Sequence, residues 1–265
     1  MKPSGIITLL TDFGLADPYV GVMKGAILGR FRGATLVDLT HQIPPQALGI
    51  ASFWLQRSYC WFPEGTVHLV VVDPGVGSER RALALEARGH YFVGPDNGVF
   101  APVLRAARGA RVVSIEPERL ALGPLSRTFH GRDLFGPAAA ALASGASALA
   151  ELGPSVSLEL VPEAASAAPA AAEIRGSVVT VDHFGNLITN IEAANLALEQ
   201  PREVRVAGRR LRIVETYAQA DAGECVALLG SFGTLEIAVR DASAAAVLGV
   251  GPGVRVVVAE PGHLL

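Results

Sequence analysis

Residues 67–78 read VHLVVVDPGVGS: an apolar run from Val67 to Val72, broken only by His68, that stops abruptly at Asp73, Pro74 and two glycines. A run of β-branched residues with no polar face marks a strand covered on both sides, and the Pro/Gly cluster ends it. The spacing therefore predicts a buried strand over 67–73 with a carboxylate, Asp73, at its carboxyl end. The same pattern extends outward. Ile6–Leu10 and Thr35–Asp38 are further short apolar runs, with the longer helix-like stretches Tyr19–Arg30 and Gln46–Phe62 among them. Ala82–Leu85 and Tyr91–Val93 flank the turn residues Gly89 and His90 and read as a hairpin, while Leu134–Leu152 reads as an alanine-rich helix ending near Gly153 and Pro154. Together they predict an α/β N-terminal domain, a central mixed sheet flanked by helices.

The pattern changes at residues 161–172, VPEAASAAPAAA, where two prolines stand among alanines and nothing is large enough to anchor a core. This is the expected linker between a domain over 1–160 and another over 173–265. Beyond it come short runs with turn signals: Gly176–Val181, Leu187–Ile191, Glu203–Val206, Arg210–Val214, Cys225–Leu229, Leu235–Val239 and Val254–Ala259, with one helix at Ser243–Leu248. Evenly spaced short strands predict a smaller C-terminal β-barrel.

A chain of 265 residues that is 50% hydrophobic is not globally disordered, and a net charge of −3 leaves no excess of positive charge for a nucleic-acid backbone or an anionic membrane. The apolar run before Thr11 is too short for a signal-peptide core or a membrane span, which points to a soluble cytoplasmic protein. Cys60 and Cys225 have no CxxC companion and are expected to be buried apolar thiols in a reducing compartment. His130, His183 and several aspartates are available to a metal, but no HExxH or comparable spacing is present, so no metal is expected.

Polar clusters interrupt the apolar segments where strands should end, the place where ligands bind in open α/β sheets. Asp12, in TDFG after the first strand, can accept from the vicinal hydroxyls of a ribose or cap a helix beginning near Pro18. Asp73 and Arg80 are joined by a short glycine-containing loop and form either a catalytic pair or an ion pair that closes the loop. The loop lacks GK[ST] and is not a triphosphate-binding loop. His130, between Phe129 and Gly131, leaves room for a small molecule beside its imidazole or is a hydrogen-bonded structural residue. Pro95-Asp96-Asn97-Gly98 and Asp182-His183-Phe184-Gly185-Asn186 are the remaining clusters, the latter also readable as a turn with Gly or Asn at positive φ.

Taken in order, ITLLTDFG, YVGVMKG, HQIPP, FPEGTVHLVVVDPGVGSERR, VGPDNGVF, TFHGRDLF, VDHFGNLITNI and GSFGTLEIAV resemble the S-adenosylmethionine (SAM) hydroxide adenosyltransferase family over about residues 6–249. The resemblance implies an α/β domain followed by a β-barrel, and a homotrimer with active sites between the N-terminal domain of one subunit and the C-terminal domain of its neighbour. It implies attack by water or hydroxide at ribose C5′ of SAM, giving adenosine and L-methionine with no cofactor. The water-activating set maps onto Asp73, Arg80 and His130, with either Asp73 or His130 as proton acceptor. Asp12 maps onto the ribose contact, and Asp182 with Asn186 onto the methionine amino-acid group or its surroundings. Phe184 maps onto an apolar wall, and Ser231, Phe232 and Glu236 near the adenine or methionine. Halide-using relatives carry different residues at the positions of Asp73, Arg80 and His130, so these three favour water over a halide-dependent adenosyltransferase. The same set argues against a non-catalytic SAM or adenosine sensor. VRDAS, residues 239–243, departs from the asparagine and glycine more usual in the hydrolases.

Overall fold

The computed structural model describes residues 1–158, 173–196 and 202–260. The chain divides into two compact units, Met1–Val161 and Pro162–Leu265, and the expected linker at 161–172 lies outside the described residues.

In the first unit the strands are β1 (Ile6–Thr11), β2 (Thr35–Thr40), β3 (Val67–Val71), β4 (Ala82–Ala87), β5 (His90–Pro95) and β6 (Arg111–Ser114). They form one sheet in the order β2-β1-β3-β5-β4-β6. The pairs β1–β2, β1–β3 and β3–β5 are parallel, whereas β4 is antiparallel to both β5 and β6, which makes the sheet mixed. Every residue of β3 is buried, His68 included, as an apolar run without a polar face requires. Alternate side chains serve two cores. Ile7, Leu9, Leu69 and Val71 pack with Met23, Ile27 and Ala138 of helices α1 (Tyr19–Arg30) and α4 (Gly136–Ser144). Leu10, Val70 and Val72 pack on the other face with Leu55 and Val103 of α2 (Leu48–Ser58) and α3 (Ala101–Arg105).

Several boundaries differ from those expected. The helix expected over Leu134–Leu152 is shorter and begins with a wider turn. Gly131–Phe135 is π-helical, α4 follows, and Gly145 ends it in the left-handed conformation (φ 74°). Pro137 has no N–H and its ring would crowd an α-helical carbonyl four residues back; the Gly136 N–H instead reaches Gly131 O, which widens the turn ahead of the proline. The hairpin turn lies at Arg88 and Gly89, both at positive φ, and His90 belongs to β5. Cys60 is exposed rather than buried: the 3-10 turn Tyr59–Trp61 directs Tyr59 into the core and Cys60 outward, while Cys225 is half-buried.

The second unit is built from β7 (Glu173–Val181), β8 (Leu187–Glu192), β9 (Glu203–Val206), β10 (Arg209–Arg212), β11 (Cys225–Leu229), β12 (Thr234–Val239) and β13 (Arg255–Ala259). The order is β10-β9-β13-β7-β8-β12-β11, antiparallel throughout. The two ends of this order meet where Ile213 bridges to Ala227 and the Val214 N–H donates to Ala227 O (2.8 Å), so the sheet nearly closes into a barrel. Helix α5 (Ala244–Leu248) is capped by the Ser243 hydroxyl, which accepts from the Ala246 N–H.

One polar relay crosses the core of the first unit. Thr8 Oγ1 and His68 Nδ1 are 2.8 Å apart, and His68 Nε2 and His90 Nδ1 are 3.2 Å apart. His68 is fully buried; burial, and then the neighbouring His90, push its pKa down from 6.5 to about 3. A base with a depressed folded pKa stabilises the fold fully above its unfolded value and loses that contribution as pH falls below 6.5 toward about 3. From about pH 7.5 to about pH 5, His68 is expected to cost the protein about 2 kcal/mol, read as a fall in the urea midpoint. In His68→Gln this acid-side fall is expected to shrink.

Candidate active site

Asp73 stands two residues past the end of β3, where the strand's hydrogen-bonding run has ended and its carboxylate can turn toward the loops. Asn97 supports that end: its Nδ2 donates to Val72 O (2.8 Å), and its Oδ1 accepts the Val99 N–H. The preceding residue of the Asp96-Asn97-Gly98 cluster pairs with Arg81 (2.6 Å). This cluster therefore braces the site. Gly77 lets the loop after Asp73 lie against the segment that carries His130. Its φ is +77°, and a Cβ there would stand 2.4 Å from Arg127 O.

The loop brings Arg80 back onto Asp73. Arg80 Nε donates to Oδ1 (2.9 Å) and Oδ2 (3.0 Å), and Nη2 also donates to Oδ2. Nη2 lies 2.9 Å from His130 Nδ1, and the guanidinium carbon stands 5.1 Å from the centre of the Phe135 ring. Asp73 and Arg80 are nearly buried, with side chains 5% and 10% exposed. A guanidinium only donates, so His130 Nδ1 is the acceptor and the neutral ring carries its hydrogen on Nε2. Burial and then the charge of Arg80 push the His130 pKa below its ordinary value, outweighing the opposite pull of Asp73, of Asp133 and of a hydrogen bond to the Ser126 backbone. The ion pair expected to close the loop between Asp73 and Arg80 is thus present, and it also reaches His130.

Asp73 and His130 line a cavity of about 300 Å³ together with Asp12, Phe13, Gln46, Phe129 and Gly131. Arg80 is not among the lining residues and stands behind Asp73 and His130. Asp12 does not cap α1, whose cap position is Pro18 with no side-chain hydrogen bond; the Asp12 Oδ2 accepts the Gln46 N–H (2.9 Å). Phe13, Tyr19 and Phe129 meet edge to face with ring centres 5.5–6.2 Å apart. Phe13, Phe129 and Gln46 were not singled out from the sequence, although the first two stand inside the TDFG and TFHG segments and Gln46 adjoins HQIPP.

The remaining expected site residues belong to the second unit. Asp182 organises a turn: Oδ1 accepts the Phe184 N–H (2.9 Å) and Asn186 N–H (2.8 Å), and Oδ2 accepts from Asn186 Nδ2 (2.9 Å). Gly185 sits at φ +86°, and a Cβ there would be 2.1 Å from Ser243 Oγ, so the turn expected in this segment is present and requires glycine. Phe184 and Asn186 line a cavity of about 640 Å³ with Tyr217 and residues 239–243. The divergent VRDAS segment is therefore a wall of this cavity, and Asp241 holds φ 63°, a conformation suited to asparagine or glycine. Tyr217, missed from the sequence, donates its hydroxyl to Glu236 Oε1. Burial, and then this bond, raise the Tyr217 pKa; burial likewise raises that of Glu236. Ser231 and Phe232 lie on the exposed turn between β11 and β12, outside the lining of this cavity. Among the described residues no cluster of His, Cys, Asp or Glu could hold a metal, and no helix is long and apolar enough to cross a membrane.

Residues 7–153 match the family model of the SAM hydroxide adenosyltransferase N-terminal domain, and residues 176–257 that of the C-terminal domain. A relative from Thermus thermophilus named (R)-S-adenosyl-L-methionine hydrolase is 42% identical, covering 97% of this chain and 99% of the relative. A fluorinase from Actinoplanes is 26% identical over 96% of this chain and 97% of its own. A crystal structure of a conserved protein from Thermotoga maritima superposes with a TM-score of 0.88 at 35% identity, covering 96% of this chain and all of that one.

The donor assignment makes a spectroscopic prediction. At neutral pH, ¹⁵N NMR of the imidazoles is expected to show His130 neutral, with Nδ1 unprotonated and Nε2 protonated.

Proposed function

Since the chain belongs to the SAM hydroxide adenosyltransferase family, we propose that it hydrolyses S-adenosyl-L-methionine to adenosine and L-methionine. The observation that carries this reading is the Asp73–Arg80–His130 contact at the wall of a small cavity that also presents Asp12. The Thermus relative's name specifies the (R) form at the sulfonium, so the same epimer is the proposed substrate here. Water attacks C5′, the C5′–S bond breaks with its electron pair going to sulfur, and the oxygen releases one proton. The sulfonium loses its charge as it leaves, so alignment and desolvation of the water are the enzyme's main tasks.

We assign the proton to Asp73. Arg80 occupies His130 Nδ1, so His130 has no lone pair to offer, and its Nε2–H, shared with the Ser126 backbone, is the donor that orients the water. Asp73 keeps acceptor capacity at Oδ1, which takes a single bond from Arg80, against two at Oδ2. Arg80 is then a positioning residue that holds both groups. Asp12 takes the ribose hydroxyls. In the second unit, Asn186, Phe184 and the neighbourhood of Glu236 take the rest of the substrate, while Asp182 acts by shaping their turn. Ser231 and Phe232 remain candidate adenine or methionine contacts on the strength of the resemblance alone. No cofactor or metal enters this chemistry.

We further infer a cytoplasmic homotrimer with sites shared between subunits. The number of subunits rests on the resemblance and the compartment on the sequence alone; what supports self-association is the outward face of α1, where Gly21, Gly25 and Gly29 recur every four residues beside exposed Val22 and Leu28, and a Cβ on any of the three glycines would meet nothing within 4 Å. Each exposed helical glycine costs about 1 kcal/mol relative to alanine, a cost that close packing against another copy would offset. Gly25→Arg is expected to lower the mass measured by light scattering to that of a monomer and to abolish turnover.

Chromatography after incubation with each sulfonium epimer tests the activity. The expected products are adenosine and methionine, indifferent to halide and to chelator; a 5′-halogenated nucleoside or bound, unconverted substrate would overturn the reading. His130→Ala is expected to bind substrate with little change in affinity and to lose about a hundredfold or more in turnover.

A further inference from the structure

Four side chains run in a line from the surface of the first unit to the end of β1. Lys24 Nζ donates to Asp38 Oδ2 (2.6 Å), and Asp38 Oδ1 lies 3.1 Å from His41 Nε2 in a bent contact. His41 Nδ1 is 2.8 Å from Thr11 Oγ1, which also accepts the Phe13 N–H (3.2 Å). His41 and Thr11 are buried, at 3% and 0% exposure, and none of the four lines the cavity.

One arrangement of hydrogens suits the whole line. Asp38 is an acceptor, so the nitrogen facing it, Nε2, carries hydrogen. Nδ1 of the neutral ring is then an acceptor and takes the Thr11 hydroxyl hydrogen, which leaves the Thr11 lone pairs for the Phe13 amide. The opposite tautomer would turn a lone pair toward a carboxylate. A protonated ring would make Nδ1 a donor and orphan the Thr11 hydroxyl hydrogen in the core.

The relay ends on both sides of Asp12. Its side-chain end ties Phe13 to Thr11, and the His41 carbonyl accepts the Gly14 N–H (2.7 Å). Gln46, at φ 65°, closes the same loop and donates to Asp12 Oδ2. The turn bearing Asp12 is thus held from one loop, with Oδ1 of its carboxylate left without a hydrogen bond among the described residues. We propose that His41, oriented by Asp38, is a positioning residue for Asp12 and thereby sets the enzyme's preference for a ribose with both hydroxyls. This rests on the reading of Asp12 as the ribose contact.

The test is calorimetric titration of the full-length protein with adenosine and with 2′-deoxyadenosine, read as the ratio of the two dissociation constants. A carboxylate accepting from the hydroxyl makes adenosine about tenfold or more the tighter ligand in the unmodified protein. His41→Leu is expected to bring the ratio to within about twofold while weakening 2′-deoxyadenosine binding far less than adenosine binding, which general loosening of the fold would not do. His41→Asn, whose Oδ1 can still accept from Thr11, is expected to recover part of the ratio. Asp38→Ala alters a partly exposed residue, serves if His41→Leu does not fold, and is expected to give an intermediate ratio. An unmodified ratio in Asp38→Ala and in whichever His41 variants fold overturns the relay. Asp12→Asn separates the two readings: a collapsed ratio there beside intact ratios in the others sinks the relay alone, and a ratio that survives Asp12→Asn sinks the ribose reading and the relay with it.

Discussion

Arg80 can donate hydrogen bonds and cannot accept them, and the site of the first unit is arranged around that constraint. Its guanidinium satisfies a nearly buried Asp73 from two nitrogens, and one of these also reaches His130. Without the arginine, Asp73 would be an unpaired carboxylate at a strand end with 5% exposure, a costly state. Without the carboxylate, the cation would be left against the Phe135 ring with little solvent. The same contact dictates the imidazole tautomer. Glycine at 77 and the Asn97 brace serve it indirectly by bringing the loop, the strand end and the His130 segment within hydrogen-bond reach.

A second use of directionality appears at Asp12 and at Asp182. In each case an aspartate follows a strand and accepts from backbone N–H groups, of its own turn at Asp182 and of a neighbouring loop at Asp12, but the outcomes differ. Asp182 is used up by its own turn, taking two backbone amides and the Asn186 side chain. Asp12 takes one, from Gln46, and its other oxygen has no hydrogen bond among the described residues. Two carboxylates in similar sequence settings therefore divide into one that builds the scaffold and one that faces a cavity.

Much of the fold was legible because burial leaves a period in the sequence. β3 carries no polar face and lies between two parallel neighbours; α1 and β11 have the expected bounds; α5 begins at its serine cap. The errors fall where local signals compete. Alanines continue past Gly145, so composition extended α4 beyond the residue that ends it, and Pro137 concealed the wider turn that accommodates it. A cysteine is on average a buried residue, but Cys60 follows Tyr59, whose larger ring takes the inward position. In the site, TDFG and TFHG were visible as motifs, whereas the edge-to-face packing of Phe13, Tyr19 and Phe129 joins residues separated by over a hundred positions.

By itself the sequence determined the two-domain α/β and β-barrel plan and the family, and marked out the polar residues proposed for the site, because hydrophobic period and motif order are local properties of the chain. The tertiary structure alone decided what each polar group can do. That Arg80 stands behind the cavity, that His130 is a donor, that Asp182 is committed to its turn, that Tyr217 meets Glu236 and that His41 reaches Thr11 all depend on donors and acceptors far apart in sequence. Whether a lone pair is free is fixed by the partner that folding brings to it, and residue type alone does not record that partner.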